Sequence, residues 1–236
     1  MKKYALCLSG LPYEFARCAP SIIENIIIPN QCDVFIHAWH ELSWEGKPYR
    51  PNTKFHGICA ENTIHQLIST YQQYLKDIAI DPQIPFDVSH YQSNYQPTQE
   101  SRFRTCSMFY SVGRANDLRK HYSRHTNIQY DGICRARLDL EVHTPIIFDN
   151  LSTDHVNVRM DCKHTDYCCN DHLAFGGEYV MNVYSNTFWH LNSMYNAGTP
   201  YCAEILLGKN LQNHGITLHD GKFEYHNCDE FNKEIR

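Results

Sequence analysis

The stretch KYALCLSGLPYEFARCAPSIIENIIIPNQCDVFIHAW, residues 3–39, decides the fold. Its first eight residues form an apolar run that stops at Gly10, which is typical of a buried strand that leads into a loop. Isoleucines at helical spacing then occupy residues 18–30, and Pro29 marks the end of that segment. A second apolar run follows at residues 32–39. Strand, helix and strand in this order predict a βαβ unit, which implies a parallel sheet and a right-handed crossover.

The rest of the chain continues this alternation less regularly. Helical patterns cover residues 61–80, 104–125, 178–195 and 203–215, and strand patterns cover 54–60, 130–139, 155–160, 170–177 and 216–221. Residues 81–101 are rich in Pro, Asn, Gln, Ser and Tyr without periodicity, which predicts a long loop. We therefore expect an α/β fold, with a mostly parallel, Rossmann-like central sheet flanked by helices in a single domain over residues 1–236.

Composition excludes several classes of protein. With 236 residues, 42% hydrophobic and 20% charged, the chain is long and apolar enough for a real core. The formal net charge of −5 argues against a general nucleic-acid binder, which needs a basic surface for the phosphate backbone. The longest apolar run, residues 21–29, contains Glu24 and Asn25, so we expect no transmembrane segment and at most peripheral contact with a membrane.

The N-terminal sequence and the cysteines indicate in which cellular compartment the protein is expected. The first apolar stretch breaks at Ser9, Gly10 and Pro12, which leaves it too short for a signal peptide. We therefore expect a cytoplasmic protein, free or held peripherally at the inner face of the membrane. In a reducing cytosol the eleven cysteines are expected to be mostly small buried hydrophobic residues and not disulfides.

The run YDGICRARLDLEVHTP, residues 130–145, carries charge at alternate positions: Arg135, Arg137, Asp139 and Glu141. Side chains alternate across a strand, so these four are predicted to share one face. At the end of an apolar strand they would lie in the crevice where open α/β sheets bind ligands. Two carboxylates there suit Mn²⁺ or Mg²⁺, and the arginines could bind phosphates. Alternatively, the acids are solvated and paired with the two arginines.

Several blocks, in the same order, resemble a group of small glycosyltransferase-like proteins of bacterial surface-polysaccharide loci and some large viruses. The blocks are ALCLSG, CDVFIHAW, MFYSVGRANDLRKHY, YDGICRARLDLEV, and NDHLAFGG followed by MNVYS. The resemblance implies the nucleotide-sugar (GT-A) fold, with Asp139 as the first acid of a D-x-D-type motif. Glu141 stands where aspartate is usual in such motifs, and Arg17, the nearest arginine after the first strand, comes late.

What the resemblance implies is transfer of a sugar from a nucleoside-diphosphate-sugar donor to a glycan or lipid-linked glycan acceptor, assisted by Mn²⁺ or Mg²⁺. The half at about residues 1–142 would bind the nucleotide and the half at about 143–236 the acceptor. One alternative is a nucleotidyltransferase that makes an activated sugar, although the first loop lacks the Gly-rich, Lys- or Arg-bearing signature that grips a triphosphate. The other is a catalytically inactive GT-A-like binding module.

Several residues are candidates for binding the donor. They are Ser9, Gly10, Arg17, Asp33, Arg114, Arg135 and Arg137. Gly10 would let backbone amides approach a nucleotide closely, although a plain strand-to-helix turn has the same requirement. Trp39 could stack on a base or close the core. Arg114 and Asn116 could face the diphosphate or lie on a solvated helix face.

Asp171, in NDHLAFGG, is the predicted catalytic residue alongside Asp139. It precedes a short apolar turn with paired glycines, which suits a carboxylate presented into a cleft. In an inverting transfer Asp171 would deprotonate the acceptor hydroxyl, and in a retaining transfer it would orient the acceptor. Its alternative role is to cap a helix or stabilise a turn.

Three further features of the sequence bear on metal binding or on helix stabilisation. His219 could complete a metal shell with Asp139 and Glu141, or be a structural or surface residue. Glu204 is expected in the first turn of a helix, where an acid favours the helix dipole. A zinc site within DCKHTDYCCNDH, residues 161–172, is disfavoured because the spacing of its cysteines and histidines matches no regular structural zinc pattern.

Overall fold

The opening stretch folds as the βαβ unit that its pattern predicts. In the computed structural model, which describes residues 2–47 and 59–227, β1 (Tyr4–Gly10) pairs in parallel with β2 (Asp33–Trp39). Between them lies α1 (Phe15–Ile22), which continues through a π-helical turn (Ile23–Ile27) into the short α2 (Ile28–Asn30). Most of the strand predicted at 54–60 lies outside the described residues.

Residues 61–80 form two elements, so the prediction of one helix there was wrong. Helix α3 (Thr63–Tyr71) ends early, and β3 (Leu75–Asp81) pairs in parallel with β2 at one edge of the sheet. Ile78 and Ile80 pack against the buried core of the sheet. Because they stand two residues apart, they share a face of a strand, and this local period of two overrides the helical pattern before it.

The remaining elements follow the predicted order with smaller differences. They are α4 (Gln99–Thr126), β4 (Gly132–Arg137), β5 (Leu140–Val142), β6 (Val156–Val158), β7 (Leu173–Gly176), α5 (Glu178–Ser185), α6 (Thr187–Asn196), α7 (Ala203–Asn213), β8 (Leu218–Asp220) and β9 (Tyr225–Asn227). The helix predicted at 178–195 is broken at Asn186, and β9 was not predicted. The strand predicted at 130–139 ends at Arg137.

Seven strands form the central sheet in the order β3-β2-β1-β4-β7-β6-β8. The first four strands are parallel, β7 runs antiparallel to β4 and β6, and β8 is parallel to β6. The predicted α/β fold with a mostly parallel central sheet is therefore confirmed. The strand order reverses between β1 and β4, so a crevice is expected at their C-terminal ends. A separate antiparallel pair joins β5 to β9.

The two faces of the sheet are covered by different helices. On one face, Ala5 and Cys7 of β1 pack with Phe109 and Val112 of α4, and α5 to α7 extend this layer. On the other face, Leu6 and Leu8 pack with α1 and α3. Residues 133, 135 and 137 of β4 share the face of α4 because side chains alternate along a strand.

The cysteines mostly behave as predicted. Eight described cysteines are buried thiols: Cys7, Cys18, Cys32, Cys59, Cys106, Cys134, Cys169 and Cys202. Cys162 and Cys168 depart from the prediction, since they form a disulfide within the loop between β6 and β7. Among the described helices, none combines the length and the apolar character needed to cross a bilayer.

A buried histidine joins β2, β3 and α4. The Nε2 atom of His37 lies 3.1 Å from Asp81 Oδ2, and its Nδ1 atom lies 2.7 Å from Ser111 Oγ. Burial lowers the pKa of His37 to about 4, even though Asp81 favours the charged form. The ring is therefore neutral at pH 7, with Nε2–H donating to the carboxylate, which can only accept.

We expect this histidine to make the fold sensitive to acid. Its pKa in the folded chain lies below the value of about 6.5 in an unfolded chain, so the unfolded chain takes up a proton first as pH falls. The full stability contribution is present above pH 6.5. Below that pH the free energy of unfolding should fall by at most about 1.4 kcal/mol per pH unit, until the pH reaches the folded-state pKa.

Urea denaturation of the His37→Asn variant between pH 7 and 4.5 checks this expectation. The variant should lose stability at pH 7 but show a shallower dependence on pH than the wild type. The matched control is His65→Asn, because His65 is exposed, and it should keep the wild-type slope. Equal slopes for His37→Asn and the wild type would contradict the assignment.

Candidate functional site

A cleft of about 550 Å³ opens at the C-terminal ends of β1 and β4. Strand ends form its floor, the first half of α4 forms one wall, and residues 171–172 with the start of α7 form another. Six of the residues predicted for the site line it: Ser9, Gly10, Arg135, Arg137, Asp139 and Asp171. The cleft thus lies at the reversal of strand order, where open α/β sheets bind their ligands.

Arg135 is the most unusual residue of the cleft. Its guanidinium is on β4, 1% exposed, and Nη1 donates to the carbonyl oxygen of His172 at 2.8 Å. Its Nε atom has no hydrogen-bond partner, and no carboxylate within the described chain forms an ion pair with it. A buried charge without a counter-charge is costly, so this arginine indicates a site for an anion.

Two neighbours of Arg135 also keep a buried polar atom without a partner. Ser9 Oγ and His172 Nδ1 are both inaccessible to solvent and make no hydrogen bond among the described residues. Ser9 lies beside Arg137 in the register of β1 with β4. An unsatisfied buried polar atom costs about 1–3 kcal/mol. Three such atoms around one cleft favour a polar ligand, whose binding would rearrange these side chains and supply their missing hydrogen-bond partners.

Arg137 and Asp139 form a bidentate ion pair at the rim of β4. Arg137 Nε donates to Asp139 Oδ1 at 2.7 Å, and Nη2 donates to Oδ2 at 2.6 Å. The chain turns between β4 and β5 at residues 138–139. Arg135 and Arg137 therefore share a face of β4 as predicted, whereas Asp139 and Glu141 lie after the end of that strand.

The predicted ligands of a hard metal do not converge. Glu141 lies on β5, outside the cleft, with Oε2 3.7 Å from Arg17 Nη2. His219 is an exposed residue of β8 whose ring stacks on His155 at 3.9 Å. Two strands, β7 and β6, separate β8 from β4. Asp139, Glu141 and His219 therefore do not fit the three-ligand Mn²⁺ or Mg²⁺ site expected from the sequence.

Three predicted donor-binding residues lie away from the cleft. Asp33 stands at the amino end of β2, where it accepts from the Tyr130 hydroxyl at 2.8 Å and pairs with Lys76 at 3.2 Å. Arg114 lies on α4 with Nε 3.8 Å from Asp81 Oδ2. Neither residue lines the cleft, and neither does Arg17.

Asn116 and Trp39, weighed as parts of the site, also have defined places. Asn116 Nδ2 donates to Asn182 Oδ1 at 3.0 Å, outside the cleft. Trp39 lines the cleft and stacks on Tyr110, with ring centroids 5.4 Å apart.

Asp171 lies in the cleft beside a histidine that the sequence did not assign to it. Asp171 Oδ1 is 3.5 Å from His172 Nε2. Burial lowers the pKa of His172, with Arg137 and Arg135 adding to the effect and Asp171 and Asp139 opposing it. His172 is therefore neutral at pH 7. Asp171 caps no helix, since the next one, α5, begins after its N-cap Gly177.

The segment before Asp171 is held by the last described strand. Asn170 Oδ1 accepts both the backbone N–H of His172 and the hydroxyl of Tyr225 on β9, each at 2.9 Å. Arg159 lies over the ring of Tyr225 at 4.3 Å and donates to its carbonyl oxygen. This contact sets where Asp171 and His172 point, and no local sequence signal predicts it.

Glu204 is another lining residue that the sequence placed only by its helix. It lies in the first turn of α7, as predicted, and its carboxylate also lines the cleft. The signal that could have found it is GTPYCAE, in which a cysteine and an acid lie two residues apart at a helix start.

No protein-family model matches the chain, and no curated protein matches it. Its function is therefore argued from the chemistry of the residues that line the cleft.

A second buried arginine provides the comparison for Arg135. Arg119 on α4 is fully buried but compensated, since Nη1 donates to Glu178 Oε1 at 2.8 Å and Nε donates to Asn116 Oδ1 at 3.1 Å. Both arginines are equally inaccessible, yet only Arg119 has a carboxylate partner among the described residues. Arg119 therefore has a structural role that Arg135 lacks.

We expect methionine to be tolerated at position 135 but not at position 119. Arg135→Met removes an uncompensated buried charge, so the free energy of unfolding without ligand should stay unchanged or rise. Arg119→Met leaves Asn116 Oδ1 without its donor and should lower that free energy by at least about 1–3 kcal/mol. Urea denaturation of both variants measures the difference, and equal destabilisation would show that Arg135 is a structural residue.

Proposed function

We propose that the chain is a glycosyltransferase of the GT-A type, which transfers a sugar from a nucleoside-diphosphate-sugar donor to a hydroxyl group of a glycan or lipid-linked glycan. The observation that carries the proposal is the buried guanidinium of Arg135 at the switch point of the sheet, which has no carboxylate ion-pair partner among the described residues. Arginine binds phosphate oxygens in a planar, bidentate geometry. A diphosphate is therefore the anion best suited to this position.

The shape of the cleft also suits a nucleotide. Gly10 ends β1 with a φ of 123°, a conformation that favours glycine, and nothing lies within 4 Å of where a Cβ atom would stand. A ligand can therefore approach the backbone closely at this bend. Trp44 lines the same cleft and is half-buried, so it has exposed ring area that a base could contact. The volume of about 550 Å³ lies in the range of small-molecule sites.

The charge of the cleft bears on the predicted Mn²⁺ or Mg²⁺. Three arginines and four carboxylates line the cleft, a formal excess of one negative charge when His172 is neutral. A diphosphate that enters with a divalent cation adds less negative charge than one that enters alone. The predicted ligands do not converge, so no step is assigned to the ion, and the metal requirement stays a prediction.

The proposed reaction divides its work between two charged residues of the cleft, Arg135 and Asp171. The bond between the sugar C1 and the β-phosphate oxygen breaks, and its electron pair stays on the diphosphate. Arg135 stabilises this charge from the floor of a largely buried site, where electrostatic interactions are strong. The acceptor oxygen forms the new bond to C1, and its proton passes to the carboxylate of Asp171 on the other wall.

Binding of the donor is the first test. We expect nucleoside diphosphates and nucleotide sugars to raise the melting temperature of the wild type, because a ligand that binds only the folded state stabilises it. Arg135→Met should weaken the affinity about 30-fold, as expected for the loss of a charged hydrogen bond of about 2 kcal/mol. The measurement is a thermal-shift screen with and without Mn²⁺, followed by calorimetric titration.

The control for this test is Asp117→Asn, a substitution on the part of α4 outside the cleft. Asp117 is half-exposed and pairs with Lys120, so its loss should change neither stability nor affinity appreciably. If no diphosphate compound stabilises the wild type, or if Arg135→Met binds as tightly as the wild type, the donor-binding role of the cleft is wrong.

Turnover is the second test. Asp171→Asn should keep donor affinity within a factor of about two but lower the rate of transfer about 10²- to 10⁴-fold, the range of a general base. The measurement is release of the nucleoside diphosphate from a nucleotide sugar in the presence of glycan acceptors. Release of pyrophosphate would indicate a nucleotidyltransferase, and a wild-type rate for Asp171→Asn would remove this residue from the mechanism.

A further inference from the structure

A second group of metal-binding side chains lies next to the cleft wall. One ligand atom each from His164, Cys202 and Glu204 lies within 4.8 Å of the other two. Over residues 2–47 and 59–227, this is the one such group of three. Only His164 belonged to the zinc pattern weighed in the sequence, and none of the three belonged to the predicted Mn²⁺ or Mg²⁺ ligands.

Two separate segments bring these residues together. Cys202 is the N-cap residue of α7, 3% exposed, and its Sγ lies 3.1 Å from Oε2 of Glu204 in the first turn of that helix. His164 comes from the loop between β6 and β7, where its exposed ring makes an edge contact with Tyr95 at 5.4 Å. The group therefore links an irregular loop to the start of a helix.

We propose that His164, Cys202 and Glu204 bind a zinc ion. Thiolate, imidazole and carboxylate are the three ligand types that zinc takes from proteins, and three protein ligands leave a fourth position for water. In a tetrahedral site with zinc–ligand distances of about 2.0–2.3 Å, ligand atoms lie about 3.5 Å apart. Cys202 Sγ and Glu204 Oε2 are already that close, so the remaining approach of about 1 Å falls to the exposed ring of His164.

The chemistry of the group selects zinc over the harder cations. In the metal-free chain the Cys202 thiol donates to Glu204. When zinc binds, that proton leaves to solvent, and the sulfur and the carboxylate oxygen both become ligands. A thiolate ligand favours zinc over Mg²⁺ and Mn²⁺. The site is thus distinct from the cation expected to accompany a diphosphate.

The disulfide beside the group does not supply its ligands. Cys162 and Cys168 pack with Cys202 and Ile205 in one small cluster. While they are bonded to each other their sulfur atoms are not thiolates, so Cys202 is the sulfur ligand of the proposed site.

A zinc ion at this position would stabilise one wall of the cleft. The loop that carries His164 continues to Asp171 and His172, and Glu204 itself lines the cleft. Zinc at this place would fasten the loop to the first turn of α7 and so fix the wall that presents Asp171. This inference does not rest on the proposed transferase activity, because the ion is measured without any donor.

The test is metal binding by the purified full-length chain after treatment with a chelator. We expect one zinc per chain by calorimetric titration, and Co²⁺ in its place should give a thiolate-to-metal charge-transfer band in the near ultraviolet. Cys202→Ser should abolish the band. Both Cys202→Ser and His164→Ala should weaken zinc binding by more than about 100-fold, above the range seen when only an outer-shell partner is lost.

Two controls separate this site from its neighbours. His219→Ala, which removes another exposed histidine, should bind zinc as the wild type does. Cys162→Ser combined with Cys168→Ser should keep the band, because Cys202 supplies the thiolate. His164 is exposed, so His164→Ala should fold even if Cys202→Ser does not. The proposal is overturned if the wild type binds no zinc, if His164→Ala binds it unchanged, or if the band disappears only when Cys162 and Cys168 are replaced.

Discussion

Arg135 places a positive charge on β4, on the face of the sheet that α4 covers, where the residue is only 1% exposed. The carbonyl oxygen of His172 accepts both the Arg135 guanidinium at 2.8 Å and the backbone N–H of Arg137 at 3.1 Å. One acceptor therefore ties the start of β7 to the end of β4 and holds the guanidinium in place. The charge has no carboxylate ion-pair partner in the described chain, and under the proposed function the diphosphate of the donor would supply one.

Arg119 and Arg135 show why sequence alone does not separate structure from function here. Both are buried: Arg119 belongs to α4, and Arg135 lies on the face of the sheet that α4 covers. Arg119 has Glu178 and two amides as partners, whereas Arg135 has one carbonyl oxygen. The difference depends on residues nearly sixty positions away for Arg119 and thirty-seven for Arg135. A pattern of alternating residues predicts that a side chain points inward, but it does not predict what it meets there.

Most of the predictions that rest on local periodicity succeeded, and those that depend on contacts between distant segments failed. The βαβ unit, α4, β4 and the position of the cleft follow from local periodicity and from the rule for parallel strands. The prediction for residues 61–80 failed because two isoleucines on β3 found a partner strand. The shared face of Arg135, Arg137, Asp139 and Glu141 was lost because the chain turns after β4 and β5 pairs with β9, a strand without a sequence signal. The grouping of His164 with Cys202 and Glu204 joins a loop to a helix thirty-eight residues further on.

The contact between Tyr225 and Asn170 has a consequence for biosynthesis. Tyr225 lies on the last described strand, and its hydroxyl donates to the side-chain oxygen of Asn170. The same oxygen accepts the backbone N–H of His172, so this contact positions residues 171 and 172. A nascent chain emerging from the ribosome can assemble β1 to β4 and their helices first, because all of those residues precede residue 138. The wall that carries Asp171 and His172 forms only after residue 225 has been translated and has left the ribosome. Maturation of this pocket is therefore coupled to synthesis of residue 225, and a chain stalled shortly before that residue would hold a folded floor with one unfinished side.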